Sequence, residues 1–69
     1  MKYSIIIEKA NGNYSAYCPD LPGCVATGLT VEEARRNMKE AIKRHIEGLR
    51  EDGLPVPQPS TEVVYIEVA

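Results

Sequence analysis

Residues 30–52 limit the possible folds of this chain more than any other segment, because they form its only long amphipathic stretch. At a helical period, the apolar residues fall on one side and the charged residues on the other. Thr30 and Glu33 have the spacing of a capping box at the start of a helix. Gly53 can end the helix in a left-handed conformation, and Pro55 prevents it from continuing. The segment predicts one full-length helix with one apolar face that packs against the core.

Alternating apolar and polar residues predict four strands, at residues 2–8, 14–18, 23–27 and 61–68. Asn11-Gly12 between the first two is a strong hairpin signal, and we expect a primed turn with both residues at positive φ. The first strand should turn Tyr3, Ile5 and Ile7 towards the helix. The prolines at 55, 57 and 59 predict a stiff, extended connection into the last strand.

The element order is therefore β-β-β-α-β, which indicates an α+β fold. The third strand should run parallel to the first, and the helix then returns the chain across the sheet. A right-handed crossover places the fourth strand beside the first. We expect a four-stranded mixed sheet in the order 3-2-1-4, with one helix on one face.

One helix covers only one face of such a sheet, and the opposite face carries a group of apolar residues. By this register the group is Ile6, Tyr17, Val25, Val63 and Tyr65. One interpretation is a solvated face that tolerates a few apolar side chains. The other is an interface, which the small size of the chain favours because 69 residues hide only about 60% of the unfolded surface. We expect a homo-oligomer, either a dimer or a tetramer.

The loop at residues 19–23 contributes two more candidate interface residues, Asp20 and Leu21. Asp20 is first a turn-forming residue, since its carboxylate can accept hydrogen bonds from nearby backbone N–H groups. A contact with a partner is the second interpretation. Cys18 and Cys24 bracket this loop. A disulfide between them is geometrically conceivable, but a packed pair of free thiols is the ordinary state in a cytosolic protein.

The charge pattern argues against nucleic-acid binding, because Lys and Arg number 8 against 10 Asp and Glu, with a net charge of −2 and no run of like charges. No apolar stretch is long enough for a signal peptide or a membrane span, so we expect a cytoplasmic protein. Two cysteines and one histidine are too few for a structural zinc site. His45 is better explained as a residue at the edge of the core than as a catalytic base. We predict no catalytic residue, metal or cofactor.

Two motifs resemble the N-terminal domain of HicB-family antitoxins: Y-x-A-x-x-P-D-L-P-G-C at residues 14–24 and G-x-T-x-E-E-A at residues 28–34, followed by Glu40-Ala41-Ile42. The resemblance covers nearly the whole chain. It implies a partial RNase H-like fold with the order β-β-β-α-β. It also implies a protein that oligomerises and blocks a small basic HicA-type toxin, an enzyme that cleaves mRNA and has a fold like that of double-stranded-RNA-binding domains.

The chain departs from the family pattern in one respect. HicB antitoxins usually carry a second, C-terminal DNA-binding segment, and we expect residues 1–69 to be a single HicB-like domain without it.

RNase H enzymes gather several acidic residues around two metal ions, whereas the inward strand positions here are apolar. The leading hypothesis is a non-enzymatic antitoxin. The alternatives are a purely structural homo-oligomer and a metal-dependent nuclease that uses Glu8 or Glu67.

Overall fold

The structure is a computed structural model that describes all residues, 1–69. It contains one three-stranded antiparallel sheet and one helix, which confirms an α+β fold. The elements are β1 (Ile6–Ala10), β2 (Asn13–Tyr17), β3 (Val25–Gly28) and α1 (Val31–Glu51). Strand β2 lies in the centre and pairs with β1 and β3. The strands begin and end within a few residues of the predicted positions, except β1, which begins four residues later.

The hairpin between β1 and β2 forms at the predicted place but with a different turn. Ala10 pairs with Asn13, so Asn11 and Gly12 are the two loop residues. Gly12 has a φ of 76°, while no residue other than glycine has a positive φ. Only the second loop residue is therefore left-handed, so the turn is not of the predicted primed kind, which needs both residues at positive φ.

Helix α1 begins and ends with the predicted capping residues. The N–H of Glu33 donates to Oγ1 of Thr30 at 3.0 Å. The Glu33 carboxylate accepts from the N–H of Leu29 at 3.4 Å, one residue before the cap. At the other end, Gly53 has a φ of 70°, and its N–H and that of Leu54 donate to the carbonyls of residues 50 and 49. This pair of bonds is a Schellman motif, which satisfies carbonyls that the helix leaves free.

The core lies between α1 and the sheet face that was predicted to meet it. Its fully buried members come from β2, the loop before β3, and the first half of the helix: Ala16, Cys18, Leu21, Cys24, Ala34 and Met38. Tyr3, Ile5 and Ile7 pack against this cluster, which confirms the predicted inward face of the first strand. The helix lies mainly over β3 and β2 and makes few contacts with β1.

Gly28 permits the close approach of β3 to the start of α1. A Cβ atom at this position would lie 2.4 Å from the backbone N of Ala34 and 2.9 Å from the carbonyl carbon of Glu33. Backbone atoms of a helix cannot move aside easily, so only glycine fits. The side-chain amide of Asn37 also ties the helix to β3 by donating to the carbonyl of Thr27 at 2.7 Å.

The predicted fourth strand at residues 61–68 is wrong for the isolated chain, and with it the mixed sheet of order 3-2-1-4. Beyond Leu54 no residue belongs to a helix or strand or donates a backbone-to-backbone hydrogen bond. The alternation in this segment determines which side chains would share a face once it is paired. It does not bring the segment alongside the edge of β1, and after Thr61 no hydrogen bond attaches it to the domain.

Candidate protein-binding surface

The sheet face opposite α1 carries a row of three apolar side chains across all three strands. Ile6 pairs with Tyr17, and Tyr17 pairs with Val25, so the three lie side by side at the same level of the sheet. Ile6 is half-buried, Tyr17 is 40% exposed and Val25 is 64% exposed. We call Ile6, Tyr17 and Val25 the open-face row. Sheet pairing thus joins residues that are distant in the sequence into one apolar strip.

The next row on the same face is polar. Glu8 pairs with Ser15, and Ser15 pairs with Thr27. The open face is therefore divided: it is apolar at the end where β1 begins and polar near the hairpin turn. This division gives the apolar strip a boundary, as expected of a contact surface with a polar rim.

Val63 and Tyr65 do not join the open-face row, contrary to the sequence prediction. Both lie in the unpaired C-terminal segment, where Val63 is 50% exposed and Tyr65 is 92% exposed. Their predicted position depended on a fourth strand beside β1, which the isolated chain does not form.

The structure places Leu21 in the core. Its exposed fraction is 0%, and it is among the largest side chains that are fully buried. The loop that carries it is closed by two backbone hydrogen bonds, from Leu21 N to Cys18 O at 3.1 Å and from Cys24 N to Leu21 O at 3.0 Å. Leu21 therefore fixes the loop to the core and has no surface to offer a partner.

Asp20 holds residues 60 and 61 against this loop. Its Oδ2 accepts from the backbone N–H groups of Ser60 and Thr61, each at 3.1 Å. Its Oδ1 accepts from the hydroxyls of the same residues, at 3.0 and 2.8 Å. Hydrogen bonds to a carboxylate favour the charged form, and those from Thr61 above all lower the pKa of Asp20 from its ordinary value of 3.8. The role is structural and long-range, beyond the local turn that the sequence predicted.

Cys18 and Cys24 are both buried free thiols, so the packed pair is the state present and the disulfide is not. The N–H of Cys18 donates to the carbonyl of Cys24 at 3.2 Å. Burial raises the pKa of the Cys24 thiol, and the neighbouring Cys18 acts in the same direction. A raised pKa favours the neutral thiol, which is a poor nucleophile.

No group of three or more His, Cys, Asp or Glu side chains is arranged to hold a metal ion. His45 is half-buried on α1 and belongs to no such group. Helix α1 is too polar to span a membrane. The exposed apolar feature that the sheet builds on this side is the open-face row.

Two structural roles escaped the sequence analysis, the long-range contact of Asp20 and the close approach at Gly28. The Asp20 contact joins positions that are 40 residues apart, and no local pattern reports such a pair. Gly28 carried a weak signal, because glycine is unfavourable at the end of a strand and marks a close backbone approach. The sequence analysis predicted that the third strand ends at residue 27, one residue before Gly28.

Comparison with known proteins places this architecture in a family. Residues 3–67 match the model of the HicB-like antitoxin of bacterial toxin-antitoxin systems. A 14.9 kDa protein of Haemophilus phage HP1 is 47% identical over 66 residues, which are 96% of this chain and 50% of the phage protein. The chain thus spans half the length of that relative. A UPF0150 protein of Thermoplasma acidophilum is 40% identical over 67 residues, which are 96% of this chain and 97% of the relative.

A solved structure has the same fold. A chain from the HicA3 and HicB3 toxin-antitoxin complex superimposes with a TM-score of 0.75 at 37% sequence identity, over 87% of this chain and 70% of that chain. The family match covers nearly all of the chain and agrees with the motifs at residues 14–24 and 28–34. The chain belongs to the HicB-like antitoxin family.

Proposed function

We propose that this protein is a non-enzymatic antitoxin, acting in the cytoplasm, that binds and neutralises a small basic HicA-type toxin and also associates with itself. Family membership supports the antitoxin role, and the similar solved chain comes from a toxin-antitoxin complex. The observation that carries the proposal is the open-face row, an exposed apolar strip with no cover in the isolated chain.

The net charge of −2 suits a basic partner. Opposite net charges accelerate the encounter of two proteins, whereas apolar contacts at the centre of an interface supply most of the affinity. A tyrosine flanked by two aliphatic side chains is a typical anchor for such a contact. In the proposed complex, Tyr17 and Val25 lie against the toxin and prevent it from reaching its mRNA substrate.

Growth rescue in a bacterial host tests the proposal. A HicA-type toxin is expressed alone and together with this chain, and toxin binding is measured by calorimetry. We expect the toxin alone to arrest growth and this chain to restore it. If none of a panel of HicA-type toxins is bound or neutralised, the proposal is wrong, and the purely structural homo-oligomer takes its place.

A matched pair of variants locates the contact. Val25 and Thr27 are exposed, lie on the same strand, and face the same side of the sheet, but only Val25 belongs to the open-face row. We expect Val25→Lys to weaken toxin binding at least tenfold and Thr27→Lys to change it less than threefold. Both variants add one positive charge, so general repulsion of a basic toxin affects them equally. An equal loss in both would move the contact away from the open-face row.

A further inference from the structure

The C-terminal segment, residues 62–69, is an unpaired strand former. Five of its residues are large and apolar, and all five are exposed: Val63, Val64, Tyr65, Ile66 and Val68. The exposed fraction of Ile66 is 81%. β-branched and aromatic residues of this kind favour strands, and a continuous exposed apolar segment marks a contact site in a soluble protein.

The two residues just before this segment are held in place by hydrogen bonds. Asp20 holds Ser60 and Thr61, and the hydroxyl of Ser4 donates to the carbonyl of Thr61 at 3.0 Å. Beyond this point no hydrogen bond ties the segment to the domain.

A groove lies open where β1 meets α1. Strand β1 pairs only with β2, so the backbone groups along its other edge have no partner strand. Because α1 lies mainly over β3 and β2, it leaves a groove of about 660 Å³ beside the chain that leads into β1. The apolar side chains that line it are Met1, Tyr3, Ile5, Met38 and Ile42.

The groove and the segment have complementary charges. The polar residues that line the groove are all basic apart from the hydroxyl of Tyr3: Lys2, Arg35, Arg36 and Lys39. The segment contains two acidic residues, Glu62 and Glu67, and no basic one. Along an extended chain, Val64, Ile66 and Val68 point to one side and can fill the apolar lining. Glu62 points to the same side, towards the basic residues, and Glu67 points to the opposite side. An open strand edge together with side-chain pockets is the arrangement that binds an added strand.

We propose that residues 62–69 are a strand exchanged between two copies of this chain. In the dimer, the segment of each copy pairs with the free edge of β1 in the other copy and packs Val64, Ile66 and Val68 into its groove. The exchange follows two-fold symmetry, so each copy gives one strand and receives one. The inference rests on the self-association in the proposed function and identifies the surface responsible for it. It does not depend on any toxin.

Measurement of molar mass by light scattering after gel filtration tests the exchange. At about 100 μM we expect the unaltered chain to have twice the monomer mass of 7.6 kDa. Ile66→Pro should give a monomer, because proline removes a strand N–H and distorts the extended backbone. Ile66→Val, which keeps a β-branched side chain, should remain a dimer. Since Ile66 lies outside the core, the helical signal in circular dichroism should be the same for all three, because α1 forms in monomer and dimer alike.

Charge reversal tests the partner surface. Arg35→Glu with Lys39→Glu should weaken dimerisation at least tenfold, and adding Glu62→Lys, which lies on the same side of the segment as Val64, Ile66 and Val68, should restore part of it. Restoration shows that the groove and the segment meet.

A monomeric unaltered chain, a dimeric Ile66→Pro variant, or a charge reversal that Glu62→Lys does not restore even in part would each overturn the exchange. Failure of the proposed antitoxin role is a separate result, because it is read from toxin binding and growth rescue and not from molar mass.

Discussion

Strand β2 and residues 62–69 were both predicted as strands but have different states in the structure. Strand β2 has a neighbour on each side, and its Ala16 is buried beneath α1. The C-terminal segment has no neighbour, and its Ile66 is exposed. The difference lies in the connection that precedes each segment. The Asn11-Gly12 turn returns β2 directly along β1. The C-terminal segment instead follows three prolines, and no hydrogen bond holds the chain beyond Thr61.

The comparison teaches that alternation and pairing are separate properties. Alternation tells which side chains share a face, and it does so correctly for β1 and β2. Pairing also requires an available edge and a connection that brings the strand to it. A strand former without either is an exposed apolar segment that can gain stability from a second molecule.

The largest expected effect contrasts a core residue with a residue of the C-terminal segment. Leu21→Ala should lower the free energy of unfolding by about 3 kcal/mol, because it removes a fully buried side chain and leaves a cavity. Ile66→Ala should change it by less than about 0.5 kcal/mol in the monomer, since surface substitutions rarely do more. Urea unfolding at low protein concentration measures both. Similar losses in the two variants would mean that the segment is packed against its own domain.

A pair of glycine variants tests the contact between the sheet and the helix. Gly28→Ala should lower the free energy of unfolding by about 2 kcal/mol, because the added Cβ overlaps backbone atoms at the start of α1. Gly48→Ala is the matched control: nothing lies within 4 Å of a Cβ there, and the change should raise stability by about 0.5–1 kcal/mol. Thermal unfolding followed by circular dichroism distinguishes a fall from a rise. A harmless Gly28→Ala would contradict the close approach described for β3 and α1.

The smallest expected effect is local and depends on pH. The pKa of Asp20 is lowered in the folded chain, so its contribution to anchoring Ser60 and Thr61 is fully present above the ordinary value of 3.8. It is lost as the pH falls through the lower folded value and the carboxylate is protonated. Chemical shifts of the two amides should follow this titration.

Asp20→Asn serves as the control for that titration. In this variant the amide shifts of residues 60 and 61 should be insensitive to pH over the same range. A wild-type titration at or above 3.8 would show that the carboxylate is not held by these four hydrogen bonds.

Local patterns in the sequence predicted most of the fold. The Thr30 cap, the Gly53 terminus and the inward face of the first strand were all correct, because each depends on residues close together in the chain or on strand alternation. The turn at Asn11-Gly12 was found, but its type was wrong, since the φ of Asn11 is negative.

The candidate surface was only partly predictable. Ile6, Tyr17 and Val25 were assigned to one face, as observed, because strand alternation fixed that face. Leu21 was placed at the surface because loops are usually exposed, whereas this loop folds back into the core. The Asp20 contact joins residues that are 40 positions apart in the sequence. This contact and the unpaired state of the C-terminal segment both depend on the tertiary structure, which no local sequence pattern reports.

Hydrogen exchange measured over a range of protein concentrations tests most directly whether residues 62–69 pair only between copies. At low concentration, amides of β2 should be protected and those of residues 62–69 should exchange freely. At high concentration, both residues 62–69 and the free edge of β1 should become protected together. Protection of residues 62–69 at every concentration would show a strand paired within its own chain, and free exchange at every concentration would show no pairing; either result would contradict the account.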